Sequence, residues 1–345
     1  MQLTVEPITL HLRTPFRIAH GTSTTRQNVL VHLADSVGEG APVPYYGYSQ
    51  AEAVAYLQSL DPHALLGDDP LALEESLDRL PPGPAPARAA IDIALHDHWA
   101  RQLGQPLYRL WGLNPLHAPL SCFTLSITRD EDELRRRVQA AEGFPILKLK
   151  LGTGDLGADE AIVRLVRQET DAQLGIDANS AWSVSEAASI IPRLADYRLL
   201  FIEQPIPRDD IEDWHRLRRR LPHDLPPLLA DESVRLPADI LALAGAADGI
   251  NIKLTKAGGL REARRMIALA RTLDMQVMLG CMIESSVGIT AAAHLAPLAD
   301  FADLDSTLHL ASDPYVGVKV EGGRLYLSQA SGLGVVRRSL ATSAT

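Results

Sequence analysis

The stretch from residue 145 to residue 205, PILKLKLGTGDLGADEAIVRLVRQETDAQLGIDANSAWSVSEAASIIPRLADYRLLFIEQP, decides the fold. Three short apolar runs, PILKLKLG (145–152), QLGIDAN (173–179) and LLFIEQP (199–205), alternate with amphipathic runs of helical period. The pattern continues on both sides with LSCFTLSI (120–127), PPLLADE (226–232), GINIKLT (249–255), QVMLGCM (276–282) and FADLDS (301–306). Eight strand candidates, the first seven each followed by a helical run, predict a parallel sheet. Eight such units in roughly 190 residues predict a closed eight-fold β/α barrel rather than an open sheet.

Ahead of the barrel, residues 2–12 and 27–34 read as antiparallel strands. TPFRIAHGTSTTRQ between them reads as a polar loop, and GEGAPVPYYGYS as a second loop. Helical patterns follow at 49–60, 70–80 and 84–103, with PPGPAP (81–86) as the break. The expected organisation is an α+β module over 1–115, the barrel over 116–311, and a return over 312–345 that packs on the N-terminal module. YVGVKVEGGRLYLS in that return predicts a hairpin with a Gly-Gly turn, and SLATSAT a frayed tail.

Hydrophobic residues make up 46% and charged residues 22% of the 345, which excludes wholesale disorder. Lys and Arg number 33 against 43 Asp and Glu, a formal charge of −10. So acidic a chain argues against nucleic acid as a partner, since the phosphate backbone calls for a basic surface. Only Cys122 and Cys281 are present, too few for a disulfide scaffold. No basic start followed by an apolar run and no stretch of 18 apolar residues occurs, so the expectation is a cytoplasmic protein with no membrane span.

The strands end unusually. Lys148 and Lys150 close the second, Asp177 the third, Glu203 the fourth, Asp231 the fifth and Lys253 the sixth, with Asp303 and Asp305 on the eighth. The steps from Lys150 through to Lys253 are 27, 26, 28 and 22 residues, which places these charges in one layer at the C-terminal mouth, where barrel active sites lie. Three convergent carboxylates, Asp177, Glu203 and Asp231, would repel one another; a hard divalent cation, magnesium or alternatively manganese, resolves the repulsion, whereas zinc would call for His or Cys. For one acid alone, pairing with a lysine or capping a helix is the ordinary reading; three on consecutive strands make it improbable. Lys150 and Lys253 flank the acids. A lysine beside a dication is pushed towards neutrality and can take a proton, and two bases on opposite faces of a carbon can invert it through a metal-stabilised enediolate. On chemistry alone, Asp303 and Asp305 either accept an ammonium group or serve as a helix cap and a partner for a barrel lysine.

Lys148-Leu-Lys150, Asp177-Ala-Asn179, Glu203-Gln-Pro, Asp231-Glu-Ser and Asn251-Ile-Lys253 followed by Gly-Gly resemble, taken together, the enolase superfamily in its muconate-lactonizing-enzyme subgroup. GCMIESSVGITAAAHLA (280–296) and Asp303-Leu-Asp305 narrow the resemblance to the dipeptide epimerases. The resemblance implies a modified (TIM-type) β/α barrel with a capping domain, Lys150 and Lys253 as acid/base catalysts, and Asp177, Glu203 and Asp231 as magnesium ligands. It also implies Lys148 steadying the substrate carboxylate, and Asp303 and Asp305 on the α-ammonium of a dipeptide. Asn179, Glu284, Thr124, Gly21 and Tyr46 are further candidates for the substrate pocket or its support, with Glu284 orienting Lys253 or standing as a plain loop carboxylate. Members acting on Ala-Glu place an arginine where this chain has Gly21; Arg17, His20 and Arg26 are near. A loop of Val43, Pro44, Tyr45, Tyr46 and Tyr48 would tolerate a broader, hydrophobic side chain, or packs cap on barrel.

An N-acylamino acid racemase, or a lyase of the o-succinylbenzoate synthase or cycloisomerase kind, uses the same enolate but has no ammonium for Asp303 and Asp305. A Schiff-base lyase and a non-catalytic binding protein are the rivals of another class. A homo-oligomer is compatible with all of these. Lys256 is expected at a helix start, Glu232 pointing outward or donating support, Cys281 as a pocket-lining residue, and His96, His98 and His294 as surface or packing residues.

Overall fold

The computed structural model describes residues 2–67, 69 and 71–339. The tail read as frayed lies outside the described residues, except for Ser339.

Three antiparallel strands, β1 (Leu3–Ile18), β2 (Gly21–Leu33) and β3 (Ser36–Gly40), open the chain. The segment read as a polar loop is instead strand: β1 and β2 pair from Leu3↔Leu33 to Ile18↔Gly21, with a register shift between His11 and Phe16, and the hairpin turns at Ala19 and His20. Its polar residues do not break the ladder, because a long two-stranded ribbon leaves one face in solvent. The helix Ala85–Gln102 covers the sheet through Ala87, Ala90 and Ala94. Gly38 makes that approach close, since a Cβ there would stand 1.9 Å from the Ala90 carbonyl oxygen.

Eight parallel strands follow: β4 (Phe123–Leu125), β5 (Ile146–Lys150), β6 (Gln173–Asp177), β7 (Leu199–Glu203), β8 (Leu228–Ala230), β9 (Gly249–Ile252), β10 (Gln276–Gly280) and β11 (Phe301–Asp303). They run in sequence order around one sheet. A parallel bridge between Ser121 and Ala302, with the Cys122 N–H donating to the Ala302 carbonyl at 2.9 Å, brings the first and last together and closes the barrel. Leu147, Leu149, Ile176, Ile202, Ile250 and Leu279 point outward and join the layer buried beneath the helices. Cys122, Phe201, Leu229 and Met278 fill the interior, where Phe201 takes the space that Gly175 leaves. Local signals position the helices: Asp155 caps Leu156–Glu169, and Ser183 with Glu186 forms a capping box on Val184–Ala195.

The expected hairpin is present as Lys319–Glu321 and Arg324–Tyr326 around Gly322 and Gly323. It rests on the barrel rather than the N-terminal sheet, with the Ser121 N–H donating to the Gly323 carbonyl at 2.7 Å. The residues after it reach the cap: the Leu333 N–H donates to Asp97, and Arg337 pairs with Glu6 at 2.8 Å. No described helix is long and apolar enough to cross a membrane.

His294 ties these parts together. It is fully buried, accepts the Tyr108 N–H at Nδ1 (3.1 Å), and faces the Leu333 carbonyl with Nε2 (3.1 Å), so Nε2 carries the proton. Burial pushes its pKa down to about 4. The unfolded chain then binds the extra proton first, so this contribution is complete above the ordinary pKa and is lost as pH falls towards 4. The gap in unfolding free energy between the wild type and His294→Asn, measured by urea titration, is expected to narrow by about 3 kcal/mol from pH 7 to pH 4. A gap that does not change with pH contradicts the buried neutral imidazole.

Candidate active site

Side chains alternate across a strand, so the inward positions of β5 to β9 run from small or apolar residues up to charges at the rim. Lys150, Asp177 and Glu203 are register partners on β5, β6 and β7. Asp231 and Lys253 stand one residue beyond β8 and β9, and Asp305 two beyond β11, rather than within the strands as read from the sequence. All three triad carboxylates are fully buried, with one oxygen from each within 4.8 Å of the others.

Four lysines enter this cluster. Lys150 Nζ lies 2.5 Å from Asp177 Oδ2, and Lys253 Nζ 2.7 Å from Asp231 Oδ2. Lys148 is fully buried and donates to Glu203 Oε2 (2.8 Å) and Asp303 Oδ2 (2.5 Å). Lys256 sits in the short helix Leu254–Ala257, as expected, but curls back to the carboxylate and carbonyl of Asp231. Asn251 donates to Glu203 Oε1 at 2.7 Å, and Asn179 donates to Asp177 (3.2 Å) and to Glu232 (3.1 Å), which therefore points into the cluster.

Burial raises the Glu203 carboxyl, and repulsion from Asp177 adds to this, to about 7 despite Lys148. Glu232 is pushed up to about 8 by burial and by Asp231 and Asp177. Burial also acts on Asp177 and Asp231, but Lys150 and Lys148 beside the one, and Lys253 and Lys256 beside the other, hold both below the usual carboxylate range. Six buried carboxyl groups (Asp177, Glu203, Asp231, Glu232, Asp303, Asp305) face four lysines (148, 150, 253, 256), so the acids outnumber the amines by two before His309 is counted. An all-oxygen triad inside such an excess fits a hard divalent cation, and it offers none of the nitrogen or sulfur donors that zinc favours.

A cavity of about 290 Å³ lies over this rim. Lys150, Lys253, Asn179, Thr124, Asp303 and Asp305 line it from the barrel, and Gly21, Arg26 and Tyr46 from the N-terminal module. Lys148 does not line it. Thr124 ties the two aspartates together: its N–H donates to Asp305 Oδ2 (2.6 Å) and its hydroxyl to Asp303 Oδ1 (3.1 Å). Glu284 accepts the Met282 N–H at 2.8 Å, while the hydrogen bond of Lys253 goes to Asp231. Burial pushes the pocket-lining Cys281 thiol well up, which leaves it un-ionised. Tyr45 packs cap on barrel: Arg208 lies over its ring at 4.4 Å and His20 stacks on it at 4.2 Å.

Sequence reasoning missed His309, whose Nε2 lies 3.0 Å from Asp305 Oδ2. Their i, i+4 spacing is the signal that could have found it. It also missed Glu39, buried on β3, which accepts from Asn28, the Ser285 N–H and hydroxyl, and the Gly288 N–H, and so fastens the cap to the loop after β10.

Residues 131–339 match the model of the enolase C-terminal domain-like family, and residues 1–112 that of the mandelate racemase/muconate lactonizing enzyme N-terminal domain. The L-Ala-D/L-Glu epimerase of Bacteroides thetaiotaomicron is 36% identical, over 98% of this chain and 88% of its own length. Among solved structures, a substrate-liganded L-Ala-D/L-Glu epimerase from Bacillus subtilis superposes with a TM-score of 0.91 at 30% identity, covering 99% of both chains. A dipeptide epimerase from Cytophaga hutchinsonii, complexed with Mg and D-Ala-L-Val, gives 0.89 at 29% identity, covering 98% of this chain and 96% of that one. With both of its domain models matched and a relative this similar along nearly its whole length, the chain belongs to the mandelate racemase/muconate lactonizing enzyme family of enolase-like proteins.

Proposed function

We propose that the chain is a divalent-metal-dependent dipeptide epimerase that inverts the α-carbon of the C-terminal residue by moving a proton between Lys150 and Lys253. One observation carries this reading: Lys150 ends β5 and Lys253 follows β9, four strands apart in a ring of eight, and both line one cavity with the carboxylate triad on the strands between. Two amines so placed reach a bound carbon from opposite faces.

Asp177, Glu203 and Asp231 would hold Mg2+, with Mn2+ suited to the same oxygens, and the ion would supply electrostatic stabilisation for the charge that develops on the substrate carboxylate as the α-proton leaves. In one direction Lys150 acts as the base that takes the proton from one face, and Lys253 as the acid that returns one to the same carbon from the other. The two lysines thereby exchange protonation states, and the reverse reaction starts from the opposite pair. Lys148, enclosed between Glu203 and Asp303, pairs with those carboxylates rather than touching substrate. Asp303 has both oxygens engaged, by Lys148 and by Thr124, whereas Asp305 Oδ1 has no donor among the described residues. Asp305 therefore takes the larger share of an incoming ammonium group, and this favours a dipeptide over an N-acyl substrate, which would leave Asp305 unmatched.

Incubation of L-Ala–L-Glu with Mg2+ in heavy water is expected to put deuterium on the Glu α-carbon of both epimers, and EDTA to stop it. Lys150→Ala and Lys253→Ala are each expected to lose epimerisation by at least about a thousandfold, each still exchanging the one epimer whose α-proton faces the surviving lysine. Exchange of both epimers in either variant contradicts the two-base assignment.

The side-chain end of the pocket is marked by Arg26. Its register partner Leu10 is buried against Ile283, which turns this face of the ribbon to the barrel mouth. The guanidinium donates to Ser23 Oγ and, among the described residues, has no carboxylate within 4.0 Å. A half-buried, unpaired guanidinium in a cavity wall calls for an anion. The preferred C-terminal residue is therefore acidic. Arg26→Leu is expected to lower kcat/KM for L-Ala–L-Glu by about 10–100-fold while sparing L-Ala–L-Leu. Equal losses on both substrates contradict that role.

A further inference from the structure

We propose that His309 is the positioning residue of the ammonium subsite, setting by its own protonation how strongly Asp305 draws the α-ammonium of the substrate. The inference rests on the epimerase reading and concerns a residue with no part in the proton transfer.

His309 closes the short helix Ser306–His309, so its ring folds back over Asp305 at i, i+4. Phe16 from β1 and Phe123 from β4 hold that ring at centroid distances of 5.4 and 5.1 Å, in edge and tilted contacts. The imidazole lines the same cavity as Asp305 and Lys253. Asp305 Oδ2 accepts both His309 Nε2 and the Thr124 N–H, so the imidazole fixes the carboxylate with Oδ1 left for a ligand.

Asp305 and Asp303 favour its cation, and Arg137, anchored on Ser126 and Glu133, opposes it. Burial lowers the imidazole's pKa, but the charge and hydrogen bond of Asp305 together with the charge of Asp303 leave it above its ordinary value. Lys148 already balances Asp303. A protonated His309 balances Asp305 as well, and the pair then offers an ammonium group no net charge. A neutral His309 keeps its Nε2–H bond to Asp305 and leaves one full negative charge facing the cavity. Ammonium binding and His309 protonation therefore compete, and by linkage a dipeptide that binds at neutral pH expels a proton from the site.

Calorimetric titration of the Mg2+-loaded protein with L-Ala–L-Glu at pH 7, in two buffers of different ionisation enthalpy, is expected to show proton release in the wild type and none in His309→Gln, which keeps a donor but cannot titrate. KM is expected to fall as pH rises, by at most about tenfold per unit below the imidazole pKa, and to level above it, with kcat changing far less. The same step in His309→Gln, or no proton release by the wild type, overturns the assignment; the wild-type measurement stands even if the variant does not fold. Turnover that persists without the step removes only the role of His309, whereas a wild type that binds and turns over no dipeptide overturns the epimerase reading along with it.

Discussion

The site depends on one constraint: ten ionisable side chains, six carboxyl groups and four amines, are buried together at one end of a barrel, where an unmatched charge is costly. Breaking a buried pair by removing one partner costs about 3–5 kcal/mol, because the other charge stays in a low-dielectric setting. The lysines are therefore as structural as they are chemical. Lys148 stands between Glu203 and Asp303, Lys150 against Asp177, and Lys253 and Lys256 both against Asp231. Even so, the acids outnumber the amines, and Glu203 and Glu232 answer by holding protons to near-neutral pH. A dication would supply the missing charge, so the same imbalance suits the triad to a hard divalent cation.

The cap completes what the barrel begins. A barrel rim alone is open, and open charges are screened by water. Here the β1–β2 ribbon crosses the mouth, and Glu39 and Asp92 fix the cap to the barrel through the Ser285 and Leu260 backbone N–H groups. The contact of Arg208 with Tyr45 adds a third attachment, on the loop after β7. Under the proposed function the reacting groups come from the barrel and the substrate's side-chain pocket from the cap, an arrangement that would let specificity vary without moving the lysines.

The barrel was legible because each strand–helix unit is local, and alternation along a strand tells which side chains turn inward. That sufficed to bring Lys150, Asp177, Glu203, Asp231 and Lys253 to one rim from sequence spacing alone. What the sequence did not disclose depends on contacts between distant segments. The polar run 14–27 reads as loop until its partner strand is known. Lys256 reads as an ordinary helix residue because nothing local shows that a single-turn helix will return its amine to Asp231. Asp303 was open between ammonium ligand and lysine partner, and the structure gives it Lys148. His309 went unread because its partner lies across a turn too short to show a helical period.

The most direct measurement is a crystal structure of the protein with Mg2+ and L-Ala–L-Glu bound. The account predicts the cation on Asp177, Glu203 and Asp231, with the Glu α-carbon between Lys150 Nζ and Lys253 Nζ on opposite faces. Both amines on one face of that carbon, or the cation held by other residues, would contradict it.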